Sequence, residues 1–486
     1  MIVLPFIGKF RKIFFENNSF KQTVFKNMTW LSASEAITRL FTAILGIFIA
    51  RNLGAENFGL FTFAISLTGI FAVLAEFGLR SIIVRELNQR EEAKGELGTV
   101  LWLRIILGIA TFFLILFFSF FIENSIARII AIIFGAVILV DNIHSFYISV
   151  FQAIQKMEYI SIIEILKTLF IVTGGFLILF LSPNIIFIAY IYLFAAVFSS
   201  LISFFIARRL SFSPLLNFDK KIAKKYLIMS LPLVLSSAFS VIYVQTDSIM
   251  MGFWNMIKEV GWYQAAYRVV NITVVPAIVI GIVFYPIISN AYKKRENFQR
   301  IIDIFFLLLL FFALPIAVGG FLLAKDVILF LYSNEYLPSV LAFKILILTS
   351  SLITLGIFIN YLLITAGKQK EFSYITGSTA LLNVVLNSIL IPRYSLYGAA
   401  VATIISYIFL LLGGFFFLKK VNIIPNFKII SFPLLAVLIM AAFLFWRFSH
   451  DISIIPRILI AGFIYCFVFF ITLFFKNKLS PLKITI

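Results

Sequence analysis

The sequence predicts an all-α integral membrane protein of about fourteen transmembrane helices: two parallel six-helix bundles around a central cavity, followed by two appended helices. Three observations lead there. The 486 residues are 62% hydrophobic and 17% aromatic and only 13% charged, against about 25% charged in soluble domains. Apolar runs of roughly 20 residues, enough to cross about 30 Å of hydrocarbon at 1.5 Å per residue, recur from end to end. The runs also repeat internally, which groups them.

The first run, 28–50, is apolar except for SASEAITRLF, which sets Glu35 and Arg39 one helical turn apart. After a short outer loop, 57–79 opens on FGLFTFA, and 99–121, 127–150, 160–181 and 185–206 complete a first set of six. A second set follows a basic segment: 227–251, 262–287, 301–323, 338–364, 371–391 and 396–418. VGWYQAA, from Val260, echoes FGLFTFA, from Phe58, at an offset of about 202 residues, each opening the second helix of its set. QKMEY, ending at Tyr159, and KQKEF, ending at Phe372, sit on the inner turn between the fourth and fifth helices of each set. Sets with an even number of helices enter from the same side, so the repeats are parallel and related by an axis along the membrane normal. Runs 428–447 and 455–475 have no counterpart. The expected organisation is therefore a cytoplasmic or interfacial N-terminus (1–27), a first lobe (28–207), a basic cytoplasmic linker (208–225), a second lobe (226–420), and two last helices with a cytoplasmic tail (421–486).

A formal charge of +19 suggests nucleic acid, and the placement of the basic residues argues against it. Lys9, Arg11, Lys12, Arg208, Arg209, Lys220, Lys221, Lys224, Lys225, Lys293, Lys294 and Arg295 all fall on inner segments if the N-terminus is cytoplasmic, as the positive-inside rule requires. An even helix count returns Lys476 and Lys478 to the same side, which puts both termini in the cytoplasm and the protein in the cell membrane. In MIVLPFIGKFRKIFF the apolar stretch precedes the charges and no small-residue site follows, so it reads as an interfacial helix and not as a cleaved signal.

Few residues suit catalysis. Cys466 is the sole cysteine, and His144 and His450 are the only histidines, so neither a disulfide nor a metal cluster is expected. His144 reads as a packed polar partner of Asp141 at helical spacing. The outer loops are short, and even AKDVILFLYSNEYLPS leaves little room for the catalytic face of a glycosyltransferase or polymerase. GKF and GKQK lack the glycine and Ser/Thr of a phosphate loop. The expectation is a non-enzyme without cofactors.

The polar residues inside the runs form stripes. Ser32, Glu35, Arg39, Thr42 and Gly46 lie on one face of the first helix. The seventh carries Ser236, Ser240, Tyr243 and Asp247; the eighth has Gln264, Arg268 and Asn271 where the second has Thr62, Ser66 and Gly69. A charge facing lipid at the bilayer centre costs about 2.5–3.5 kcal/mol on insertion scales, so the stripes are expected to face one another or a watery cavity between the halves. Structural readings stand beside this one. Glu35 with Arg39, and Glu164 with Lys167, read equally as intrahelical pairs that pin their helices. Arg104 and Lys344 read as snorkelling from helix ends, and Glu76 and Arg80 as interfacial anchors.

ARNLGAENFGLFTFA (50–64), LAEFGL (74–79), QTDSIMMGFWNMIKEVGWYQAAYRV (245–269) and LIPRYSLYGAAVATIISY (390–407) together resemble the Wzx-type polysaccharide flippases of the multidrug/oligosaccharidyl-lipid/polysaccharide exporter superfamily. The likeness spans nearly the whole chain; Ser395 stands where the family most often has glycine. It implies alternating-access transfer of undecaprenyl-pyrophosphate-linked oligosaccharide from the inner to the outer leaflet for surface polysaccharide biosynthesis. The implied partners are that lipid-linked substrate, membrane lipids, and a polymerase or ligase that uses the product. Arg39 and Arg268 then suit the pyrophosphate, because a guanidinium fork binds phosphate oxygens bidentately. Glu35, Thr42, Thr62, Ser66, Ser240, Tyr243, Asp247, Gln264 and Asn271 suit sugars or a coupling ion. A cation-coupled multidrug exporter of the same superfamily, with Asp247 or Glu35 as ion site, is the alternative, and a membrane glycosyltransferase or polymerase a second.

Overall fold

The computed structural model describes residues 19–210, 212, 217–446 and 452–479; residues 1–18 of the expected interfacial N-terminus and His450 lie outside them, while the rest of that segment, from Phe20, opens the first helix. Among the described residues all regular structure is helical. In chain order the helices are α1 (Phe20–Glu76), α2 (Leu79–Gln89), α3 (Ala93–Ser119), α4 (Ser125–Ala153), α5 (Met157–Leu181), α6 (Ile185–Arg209), α7 (Lys220–Phe253), α8 (Ile257–Thr273), α9 (Val275–Lys294), α10 (Phe298–Leu322), α11 (Ala324–Leu331), α12 (Ser339–Thr365), α13 (Gln369–Lys420), α14 (Ser431–Phe445) and α15 (Ile454–Leu479). Starts are set locally: the side chains of Asn124, Asn184 and Asp219 accept hydrogen bonds from the first free amides of α4, α6 and α7.

Among the described residues eleven helical stretches are long and apolar enough to cross a membrane, or twelve if the two parts of α7, bent by 43°, count as one span. The difference from the expected fourteen arises where two expected spans share one helix. α1 has 57 residues and α13 has 52, far more than one crossing needs. α1 breaks at Gly54 (φ 78°, ψ 170°) and α13 at Ser395 (φ 52°, ψ −135°). At the second break the chain turns back. A Cβ on Gly398 would overlap the carbonyl of Leu390, whereas residues eight apart in a straight helix are separated by about 12 Å along the axis.

The chain forms two compact units, Met1–Gly261 and Trp262–Ile486, with the boundary inside α8. By contacts α7 belongs with the first unit, although the repeat pairs it with helices of the second lobe; compactness does not test the repeat. The first unit packs α2, α3, α4, α5 and α7 around Leu79, Leu97, Val100, Phe146, Phe151 and Ile163. In the second, α9, α10, α12 and α13 enclose Ile302, Phe305, Leu309, Phe358 and Leu362, and α14 and α15 pack on α10 through Ala436, Met440, Tyr465 and Phe469. Large apolar side chains also point outward: Phe113, Phe117, Phe180 and Leu181 in the first unit and Phe463, Phe467 and Phe474 in the second are each more than half exposed. Such a surface suits lipid and would aggregate in water.

The echoed segments meet within the first unit. A Cβ on Gly59 would overlap the carbonyl of Ile257, and one on Gly261 would overlap that of Ala55. These are the same two contacts exchanged at the offset of the sequence echo, so FGL and VGW hold glycine to let two backbones cross. Gly59→Ala and Gly261→Ala are each expected to lower stability by about 1–3 kcal/mol, read as a fall in thermal unfolding midpoint in detergent. Gly95→Ala, where a Cβ meets nothing within 4 Å, serves as the neutral control.

Ser395 holds the φ > 0 conformation that glycine adopts without strain. Strain of this kind costs about 1–3 kcal/mol at a non-glycine residue. Ser395→Gly is therefore expected to raise the unfolding midpoint, the reverse of the usual effect of adding glycine.

Candidate functional site

The first unit carries a set of charged and polar side chains that link its helices. Lys26 of α1 and Glu158 of α5 form an ion pair of 2.8 Å with both side chains almost wholly buried, and further along Leu45 packs on Gly175 and Phe48 on Phe176. These contacts set α1 and α5 parallel and in register, which brings Glu35 and Arg39 to the height of Glu164 and Lys167. Arg39 Nε donates to Glu35 as expected, one turn apart. The pair is not sealed: 45% of the Arg39 side chain and 35% of Glu35 are exposed. At membrane depth an Arg this open has unspent donor capacity toward an anion.

Other expected partnerships are exchanged. Lys167 does not pair with Glu164; its ammonium donates to both carboxylate oxygens of Asp141, at 2.7 and 2.8 Å. His144, expected beside Asp141, instead lies between Ser203 (2.8 Å) and Glu164 (3.3 Å). Spacing along one helix cannot reveal such links, because each joins two helices. Arg104 does not snorkel: it is fully buried, donates through Nη1 to Asn142 Oδ1 at 3.0 Å, and Asn142 Nδ2 donates back to its carbonyl at 2.6 Å. Arg80 bonds Gln152 at 3.2 Å. Lys26, Glu158, Asn142 and Ser203 were missed from sequence; the signal available was a polar residue inside or beside an apolar run.

The remaining candidates separate by exposure. Thr62 and Ser66 are buried, and the Thr62 hydroxyl donates to the Phe58 carbonyl of its own helix at 2.8 Å. Thr42 is half-buried and Ser240 exposed, whereas Tyr243 and Asp247 are buried. In the second unit Gln264 and Arg268 are half-buried and Asn271 exposed on α8. Several bonds from neighbouring elements hold that helix. The Tyr332 hydroxyl donates to the Ala265 carbonyl at 3.0 Å, Ser339 donates to the Trp262 carbonyl at 2.8 Å, and Trp262 Nε1 donates to the Glu335 carbonyl at 2.9 Å. Tyr263 also meets Thr403 of α13 at 3.3 Å. Arg268 therefore stands on a positioned helix. Among the described residues no group of three or more His, Cys, Asp or Glu side chains could hold a metal.

The pattern of the family described as "Polysaccharide biosynthesis protein" matches residues 24–292, more than half of the chain. The chain belongs to this family. Within the wider multidrug/oligosaccharidyl-lipid/polysaccharide exporter superfamily, the MatE family pattern matches residues 232–389. Among relatives of the family member, the probable low-salt glycan biosynthesis flippase of Haloferax volcanii is 24% identical over 82% of this chain and 85% of its own. A putative O-antigen transporter of Shigella flexneri is 24% identical over 78% and 94%. The lipid II flippase MurJ in an inward closed conformation shares the fold, with a TM-score of 0.78 at 20% identity over 92% of this chain and 99% of that one. These relatives are named as transporters and flippases and none is named as an enzyme; with its family match and its long apolar helices the chain is a multi-pass membrane protein of this superfamily.

The Lys26–Glu158 pair gives the register its test. Lys26→Met leaves the buried Glu158 carboxylate with only the partly exposed Lys156, at 3.5 Å, and is expected to destabilise the protein by about 3 kcal/mol, while Lys26→Met with Glu158→Leu recovers most of the loss. Thermal unfolding of the purified variants measures both.

Proposed function

We propose that the protein is a flippase that moves undecaprenyl-pyrophosphate-linked oligosaccharide from the inner to the outer leaflet of the cytoplasmic membrane by alternating access, for surface polysaccharide biosynthesis. The family match carries the reading, and relatives named as glycan flippase and O-antigen transporter support it. The half-open Arg39 agrees with it, since a diphosphate entering a low-dielectric region needs a donor that is charged and accessible. Arg39 in the first unit and Arg268 in the second are assigned to the pyrophosphate. Glu35, Thr42, Ser240, Gln264 and Asn271 are exposed or half-exposed and are assigned to sugar hydroxyls; Tyr243, Asp247, Thr62 and Ser66 are assigned to supporting them. Both termini are placed in the cytoplasm by the charge asymmetry, and a polymerase or ligase would consume the product.

The test is leaflet transfer of a fluorescent pyrophosphate-linked oligosaccharide in proteoliposomes. Charge-assisted hydrogen bonds contribute about 1.5–3 kcal/mol, so Arg268→Ala is expected to slow transfer by at least about tenfold, with Arg268→Lys intermediate because it keeps the charge but not the fork. The Glu35→Leu, Arg39→Met double variant is expected to insert normally and fail to transfer. Parental transfer by that variant would make Arg39 a strut. Export of a cationic dye without transfer of the lipid would replace this function by multidrug export, the reading that the MatE match favours.

A further inference from the structure

We propose that His144 and Glu164 together bind one exchangeable proton at membrane depth in the first unit. Hydrogen-bond accounting leads there. The Ser203 hydroxyl has a single proton and donates it to the Ser199 carbonyl at 2.8 Å, a group that can only accept. The 2.8 Å contact between Ser203 Oγ and His144 Nδ1 then requires Nδ1 to be the donor. In a neutral imidazole that leaves Nε2 with a lone pair, and Nε2 faces Glu164 Oε1 at 3.3 Å. Two acceptors would oppose each other. One further proton between them turns the contact into a hydrogen bond, as imidazolium with carboxylate or as imidazole with carboxylic acid.

The neighbours make that proton matter. Lys167 of α5 is committed to Asp141 of α4 through both carboxylate oxygens, so it makes no hydrogen bond to Glu164 and its charge is shared with Asp141. Among the described residues of α6 that touch the pair, Ser203 and Ser199 offer only a hydroxyl and a carbonyl. On α3 the Arg104 guanidinium is turned to Asn142, on α2 Arg80 is bonded to Gln152, and on α1 Glu35 and Arg39 bond each other at the same height; Glu76 ends α1 near Arg80 and Arg104. With the proton bound, His144, Glu164, Asp141 and Lys167 sum to zero charge; without it they carry one net negative charge. Glu164 is the more open member of the pair, with 39% of its side chain exposed against 5% of His144, so proton exchange is placed at Glu164. The proton arrives from water at Glu164 and leaves by the same edge. A gradient acts on a transporter through a group that exchanges charge with water, and this pair is such a group; its use in flipping rests on the function proposed above.

The test needs no substrate, so it stands apart from that function. His450→Gln leaves His144 as the sole histidine, and the full chain labelled with ¹⁵N-histidine in micelles gives one ring. At pH 7 the wild-type pair is expected to show either an imidazolium with both nitrogens protonated, or a neutral ring protonated at Nδ1 together with a buried carboxylic-acid infrared band. Glu164→Gln, isosteric but unable to ionise, can donate an amide N–H to Nε2, so it is expected to remove the imidazolium or the carboxylic-acid band, whichever the wild-type pair shows, and to leave a neutral ring protonated at Nδ1. A neutral ring protonated at Nε2 in the otherwise unaltered chain, donating to an ionised Glu164, would overturn the proposal, and so would a signature unchanged in Glu164→Gln. Because the first result is read without touching the pair, a variant that fails to fold does not remove the test.

Discussion

Hydrocarbon offers no partner to a backbone amide or to a charge, and that single deficit shapes the chain. Every spanning segment is helical because a helix satisfies its backbone within itself. Among the described residues positive-φ backbone falls at breaks and turns between helical segments: Gly54, Phe77 and Gly78, Gln155, Asn255, Arg295, Asn297, Gly367, Ser395 and Asn422. Side-chain charges follow the same rule by pairing across helices. Lys26 with Glu158, Lys167 with Asp141, and Arg104 with Asn142 each tie two helices of the first unit. In an apolar solvent burial of further hydrophobic surface gains little, so polar contacts and close packing at small residues specify which helices meet.

The placement of the charged side chains follows from these ties. Once α1 and α5 are in register, the height of Glu35 and Arg39 is no longer free, and the Gly59 and Gly261 crossing fixes how the echoed segments approach. On the proposed function, this rigidity serves an anionic head group that must meet donors already in place, since ordering them at each transfer would reduce binding. Arg104 and Arg39 illustrate the division of roles. Both are arginines inside apolar runs, yet one is sealed against Asn142 while the other remains open beside a carboxylate.

Much of this was legible beforehand. Composition and run length give an all-helical membrane protein, the motifs give the superfamily, and the Gly59 and Gly261 echo marks a real crossing of backbones. The helix count is less legible, because breaks at Gly54 and Ser395 are single-residue dihedral events that leave hydropathy continuous across them. Ser395 shows the reverse case: its departure from glycine is visible in sequence, while the strained φ it adopts is not.

What the sequence alone determined is the set of properties that depend on one helix at a time: where apolar runs lie, which face carries polar residues, and that Glu35 reaches Arg39 within a turn. What the tertiary structure decided is every partnership between helices. The i,i+3 spacing of Glu164 and Lys167 suggested a pair, but Asp141 and His144 on α4 offered each a partner with better geometry. The reason is that rotation and register between helices are set by the sum of many small contacts, and that sum exists only when the helices are packed.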